Sequence, residues 1–105
     1  MAEKIRDKTT LIELIQSNAI NIKKYGVDKL GVFGSFVRNE TNEQSDVDFL
    51  VEFESGKKTY KNFIHLASFL EELCGRKIEL VTPSGLSKYF GDKILKSTEY
   101  VALSR

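Results

Sequence analysis

Residue types that could do chemistry gather in one stretch, residues 34–48. Gly34-Ser35 closes one apolar run, and Asp46-Val47-Asp48 opens the next. A glycine after a strand lets a ligand come close to the backbone. A serine that starts a helical turn offers its hydroxyl and free N–H groups to a phosphate. Strand side chains alternate, so Asp46 and Asp48 share a face, where their carboxylates repel. A hard divalent cation relieves that repulsion, and Mg²⁺ usually binds through one or two carboxylates plus substrate phosphates. Taken singly, Gly-Ser is common loop punctuation and Asp-x-Asp is often a solvated loop end. Together, in a strand–turn–loop–strand context, they point to a nucleoside triphosphate handled with magnesium.

Glu79 lies in the middle of the apolar run Lys77-Ile78-Glu79-Leu80-Val81. An acid there faces either solvent or a site. If this strand lies beside the one holding Asp46 and Asp48, Glu79 completes a three-carboxylate cluster for metal ions, or serves as general base for a hydroxyl acceptor. Arg38 could neutralise phosphate charge or pair with a carboxylate to hold the loop, since arginine suits both partners. Other reactive types read as bland. His65 belongs to a helix surface or its packing, because no motif partner accompanies it. Cys74 reads as a small structural apolar residue. Lys57, Lys58 and Lys61 make a solvated basic face that could guide a nucleotide or an acidic partner. Tyr89 and Phe90 read as core of a last helix.

The elements that must position these residues follow from periodicity. Thr10 and Glu13 suggest a capping box, and Leu11, Ile12, Leu14, Ile15, Ala19 and Ile22 recur at helical spacing, so a helix is expected over 10–25. Residues 29–33 read as a buried strand, 35–38 as a short helical turn and 39–45 as a loop. Over 46–53, Val47, Phe49, Val51 and Phe53 point one way, and Asp46, Asp48, Leu50 and Glu52 the other. Residues 54–58 make a turn. Residues 60–73 have a helical pattern with Phe63, Ile64, Ala67, Leu70 and Leu73 as the buried stripe, ended by Gly75. Residues 77–81 form a third strand stopped by Pro83. A helix over 86–95 follows, and the last residues add a short strand or cover the core. The order predicts an α/β (α+β) domain, helices on a small mixed sheet, with a helical crossover between the second and third strands.

The chain has 105 residues, which suits one domain spanning 1–105 without a separate acceptor-binding domain. Its 16 basic and 15 acidic side chains nearly cancel, so long nucleic acid is not the expected partner. No run is long enough to span a membrane, and residues 1–8 lack the apolar stretch of a signal peptide. A single cysteine excludes an internal disulfide and agrees with a cytoplasmic setting.

At this point the chain resembles the minimal nucleotidyltransferases of the polymerase-beta-like superfamily. Gly34-Ser35, Arg38, Ser45-Asp46-Val47-Asp48, Lys77-Ile78-Glu79-Leu80-Val81-Thr82 and the preceding Leu73-Cys74-Gly75-Arg76-Lys77 carry the resemblance. It runs from about residue 28 to the C-terminus. The resemblance implies that Asp46 and Asp48 bind metal, that Glu79 is the third carboxylate, and that Gly34, Ser35 and Ser45 meet the nucleotide. At the third position the family more often has Asp. Many members are antitoxins paired with a HEPN-domain ribonuclease toxin. The resemblance therefore implies transfer of AMP from ATP, with Mg²⁺, to a tyrosine hydroxyl of the toxin, within a hetero-oligomer. An antitoxin that neutralises by binding alone is the alternative. Transfer to a small-molecule hydroxyl is a third reading, disfavoured because no second domain would cradle that acceptor.

Overall fold

In the computed structural model, residues 5–38, 40–42, 44–85 and 91–103 are described. The chain opens with α1 (Lys8–Ser17) and α2 (Ala19–Lys23) where one continuous helix was expected. The break is at Asn18, whose side chain donates to the Leu14 carbonyl, beside Ser17 donating to that of Glu13. Short polar side chains that bond backbone in this way compete with the helix ladder. The helix also starts earlier than the expected capping box. Asp7 is the N-cap, and its carboxylate accepts the Thr10 amide at 2.8 Å. That bond holds the Asp7 carboxyl below its ordinary pKa.

Strand β1 (Val27–Phe33) begins two residues before the expected start. A register shift between Val27 and Lys29 lets exposed Asp28 sit in the strand without breaking the apolar set behind it. The short helix α3 (Ser35–Arg38) follows, then the loop, then β2 (Val47–Phe53). Helix α4 (Tyr60–Cys74) is capped by the Thr59 hydroxyl, which accepts the Asn62 amide. Gly75 ends it in the left-handed conformation, φ 64°, and donates its amide to Glu71. Then come β3 (Ile78–Val81), a 3₁₀ turn at Pro83–Gly85, α5 (Gly91–Ser97) and β4 (Glu99–Val101). Pro83 thus opens a turn as well as ending the strand. Of the helix expected over 86–95, residues 86–90, with Tyr89 and Phe90, lie outside the described residues.

The four strands lie in the order β3-β2-β1-β4. β1 pairs antiparallel with β2 and with β4, while β3 joins β2 in parallel through the α4 crossover. The sheet is therefore mixed, as expected. Leu30, Val32, Val47, Phe49 and Val51 are fully buried on one face, against Leu11, Ile15, Leu66 and Leu70 of the helices. Leu50 departs from the expected alternation. It is fully buried although it shares a face with Asp48, and the Pro83–Gly85 turn lies against its strand.

The buried stripe of α4 is rotated from the expected one. Leu66, Leu70 and Cys74 are fully buried, whereas Ile64 is 39% exposed. Apolar residues cover well over the usual third of this helix surface, so periodicity alone does not say which line faces the sheet. Truncation distinguishes the two lines. Leu66→Ala should cost about 3 kcal/mol in urea unfolding, by lost burial plus a cavity. Ile64→Ala should cost under about 1 kcal/mol.

Candidate active site

The site forms where β1 ends and β2 begins. Phe33, the last residue of β1, pairs with Asp48, the second of β2. Gly34 then turns the chain into α3 with φ 78°. A Cβ at residue 34 would lie 2.1 Å from Asp48 Oδ2 and 3.0 Å from its Cγ. The close approach that the glycine permits is thus made by a carboxylate of the chain itself. Beyond it, α3 receives its first hydrogen bonds when Val37 and Arg38 donate to the Gly34 carbonyl.

On its other side Asp48 pairs with Glu79 across the parallel ladder, and strands in such a ladder lie about 4.8 Å apart. Asp46 immediately precedes β2, which starts at Val47 and not at residue 46 as expected, and its charge acts on Asp48. Asp46 and Glu79 are exposed, and Asp48 is half-buried between them. Burial first, then the charges of Glu79 and Asp46, push the Asp48 carboxyl from 3.8 up to about 6, while Arg38 opposes the shift. Among the described residues no group of three or more His, Cys, Asp and Glu side chains is gathered closely enough to hold a metal ion by itself. The donor chemistry nonetheless fits a divalent cation. All the donors are carboxylate oxygens, they repel one another, and Mg²⁺ takes only one or two of them when phosphates supply the rest.

The other expected site residues are nearby with specific tasks. Ser35 is the first residue of α3. Arg38 Nε is 2.6 Å from Glu40 Oε1, and both side chains are mostly exposed. This is the loop-holding pairing, one of its two expected roles. Ser45 Oγ accepts the Asn42 amide at 2.9 Å, while Asn42 Oδ1 accepts that of Gln44. Ser45 therefore shapes the loop and keeps its hydroxyl proton available to donate. His65 is exposed on α4. Cys74 is buried, which pushes its thiol up to about 12 and keeps it unreactive. Lys58 donates to Ser84 Oγ, and Lys57 and Lys61 are exposed.

Arg76 is the residue that pattern reading did not single out. It is buried, and its guanidinium donates to the carbonyls of Ile5, Asn42 and Ser45. In the sequence it stands between a helix-ending glycine and an apolar strand, within the Leu73–Lys77 segment that carries the resemblance but without a role of its own.

Residues 14–101 match the nucleotidyltransferase domain model. A protein of Thermococcus cleftensis named protein adenylyltransferase MntA is 43% identical over 79 residues, covering 75% of this chain and 79% of its own. The chain belongs to the minimal nucleotidyltransferase family. A Methanocaldococcus jannaschii protein, provisionally named a protein adenylyltransferase, is 39% identical over 72 residues, or 69% of this chain and 76% of its own. Among solved structures, one provisionally described as a minimal nucleotidyltransferase superposes with a TM-score of 0.74 at 31% identity, covering 89% of this chain and 94% of that one. An AMP-PNP-bound toxin–antitoxin structure has the same fold, with a TM-score of 0.66 at 15% identity over 86% of this chain and 74% of that one. The fold is that of the polymerase-beta-like nucleotidyltransferases.

The geometry has consequences for stability. Asp48 binds its proton more tightly in the folded protein than in the unfolded chain. The stability this group contributes is present below pH 3.8 and is lost as the pH rises through about 6. Thermal denaturation without divalent metal at about pH 7.5 should therefore show Asp48→Asn melting above the parent, with the gap narrowing when Mg²⁺ is added. Gly34→Ala should do the opposite. It forces Asp48 aside and strains a left-handed backbone, at a cost of roughly 1–2 kcal/mol.

Proposed function

We propose that this chain is a nucleotidyltransferase-type antitoxin that transfers AMP from ATP to a tyrosine hydroxyl of a HEPN-type ribonuclease toxin. The observation that carries the proposal is the placement of Asp48 against Gly34 and opposite Glu79. This puts the carboxylate end of β2 beside the turn into α3. The relative at 43% identity is named a protein adenylyltransferase, which supports a protein acceptor. The AMP-PNP in the toxin–antitoxin structure of the same fold supports ATP and a toxin partner. We take residues 1–105 as a single domain acting in the cytoplasm.

Each residue then has a task. Asp46 and Asp48, with Glu79 beside them, hold the divalent ion. Mg²⁺ bound there would stabilise the attacking and leaving oxygens of an in-line displacement. The Gly34-Ser35 turn and the Ser45 hydroxyl donate to phosphate oxygens. Arg38 exchanges Glu40 for the triphosphate, because an exposed ion pair contributes only about 0–1 kcal/mol. The tyrosine oxygen attacks the α-phosphorus, the bond to pyrophosphate breaks, and the phenolic proton passes to the exposed Glu79 carboxylate.

One observation favours the alternative of neutralisation by binding alone. Asp46 and Glu79 are both exposed, and no three carboxylates are gathered as a finished metal group among the described residues. One assay addresses both readings. The chain is incubated with labelled ATP, Mg²⁺ and the protein encoded by the neighbouring gene. Label should appear on a toxin tyrosine, and Asp48→Asn should cut transfer at least ~100-fold, a loss of several kcal/mol of transition-state stabilisation. No label on a correctly folded toxin would sink the transfer reading. An Asp46→Ala/Asp48→Ala variant that still neutralises the toxin would establish the binding reading.

A further inference from the structure

Arg76 is 6% exposed, the one charged side chain fully inside the protein among the described residues. Burying a guanidinium is costly unless its donors are met. Here Nε donates to the Ile5 carbonyl, and Nη1 donates to Asn42 O at 3.0 Å and Ser45 O at 2.8 Å. Its central carbon lies 5.3 Å from the centre of the Phe36 ring, within cation–π range. The next residue contributes too. Lys77 O accepts the Val47 amide at 3.1 Å.

These contacts converge on Asp46. The peptide group before it is held through the Ser45 carbonyl by Arg76. The peptide group after it is held through the Val47 amide by Lys77. Asp46 itself is exposed and precedes the strand; the Val47 bond to Lys77 is the first of the β2–β3 ladder, so the sheet holds its following side and Arg76 its preceding one. Phe36 is fully buried in α3, the helix that Ser35 opens. One guanidinium therefore braces both the loop entering the carboxylate pair and the helix following Gly34.

We infer that Arg76 is a positioning residue of the acidic site, holding the Asp46 backbone and α3 in one geometry so that the carboxylates can meet a divalent cation while the turn meets the phosphates bound to it. What the site holds rests on the nucleotidyl-transfer reading; the clamp itself does not. Lysine cannot replace it, because a single ammonium lacks the planar fork that reaches three carbonyls while stacking on a ring.

The test compares Arg76→Met, which keeps an apolar stem over Phe36, with Leu70→Ala, a core truncation that removes none of the Arg76 hydrogen bonds. Both are studied at a temperature where circular dichroism shows them folded. In Arg76→Met, hydrogen exchange of the Val47 amide should accelerate at least tenfold relative to the Val51 amide. Mn²⁺ affinity, read by electron paramagnetic resonance, should fall at least tenfold. Leu70→Ala should leave both within about twofold, and Arg76→Lys should resemble Arg76→Met. If Arg76→Met does not fold, Arg76→Lys carries the same comparison. The inference is overturned if the folded Arg76 variants exchange Val47 and bind Mn²⁺ like the parent, or if Leu70→Ala shows the same losses. A parent that binds Mn²⁺ but labels no toxin overturns the transfer reading and leaves this inference standing. Exchange at Val47 needs neither metal, nucleotide nor partner, so the two failures remain distinct.

Discussion

A side chain at residue 34 would occupy the space where the Asp48 carboxylate lies. That exclusion ties the parts of the site together. β1 must end beside Asp48, and the residue after it must lack a Cβ and tolerate a positive φ. Only then can the chain turn at once into α3. Asp48 is half-buried near the start of the inner strand β2, between two exposed acids. The result is a carboxylate held where it is least comfortable. Such local conflict is common where stability yields to function, and here its relief would come from a divalent cation.

The strain is contained because the surroundings are firmly held. Behind the site, fully buried Val32, Val47, Phe49 and Val51 fix β1 and β2 against α1 and α4. To one side, Arg76 binds the carbonyls of the loop, and the N-terminal segment closes over it through Ile5, whose amide donates to the Cys74 carbonyl. Thr41 adds a bond to the Arg6 carbonyl. The polar loop between α3 and β2 has little apolar area with which to fold itself. Side chain–backbone hydrogen bonds take over that work.

Much of this was legible in the sequence. The strands, the short helix after Gly34, the capping residue Gly75 and the crossover follow from local periodicity and turn chemistry. The departures have specific causes. Asn18 and Ser17 divert backbone carbonyls and split the first helix. A register shift admits Asp28 into β1. The apolar surface of α4 is too broad to reveal which line is buried. The burial of Leu50 depends on a turn more than thirty residues away.

The sequence by itself determined that Asp46 and Asp48 flank Val47 at the start of a strand and that Gly34-Ser35 lies between a strand and a helical turn. Both are consequences of backbone geometry over a few residues. Only the tertiary structure decided that Glu79 stands opposite Asp48, that the Asp48 carboxylate covers Gly34, and that Arg76 lies beneath the loop. These depend on which strands become neighbours in the order β3-β2-β1-β4. That order is set by burying the whole apolar surface at once, and no local pattern encodes it.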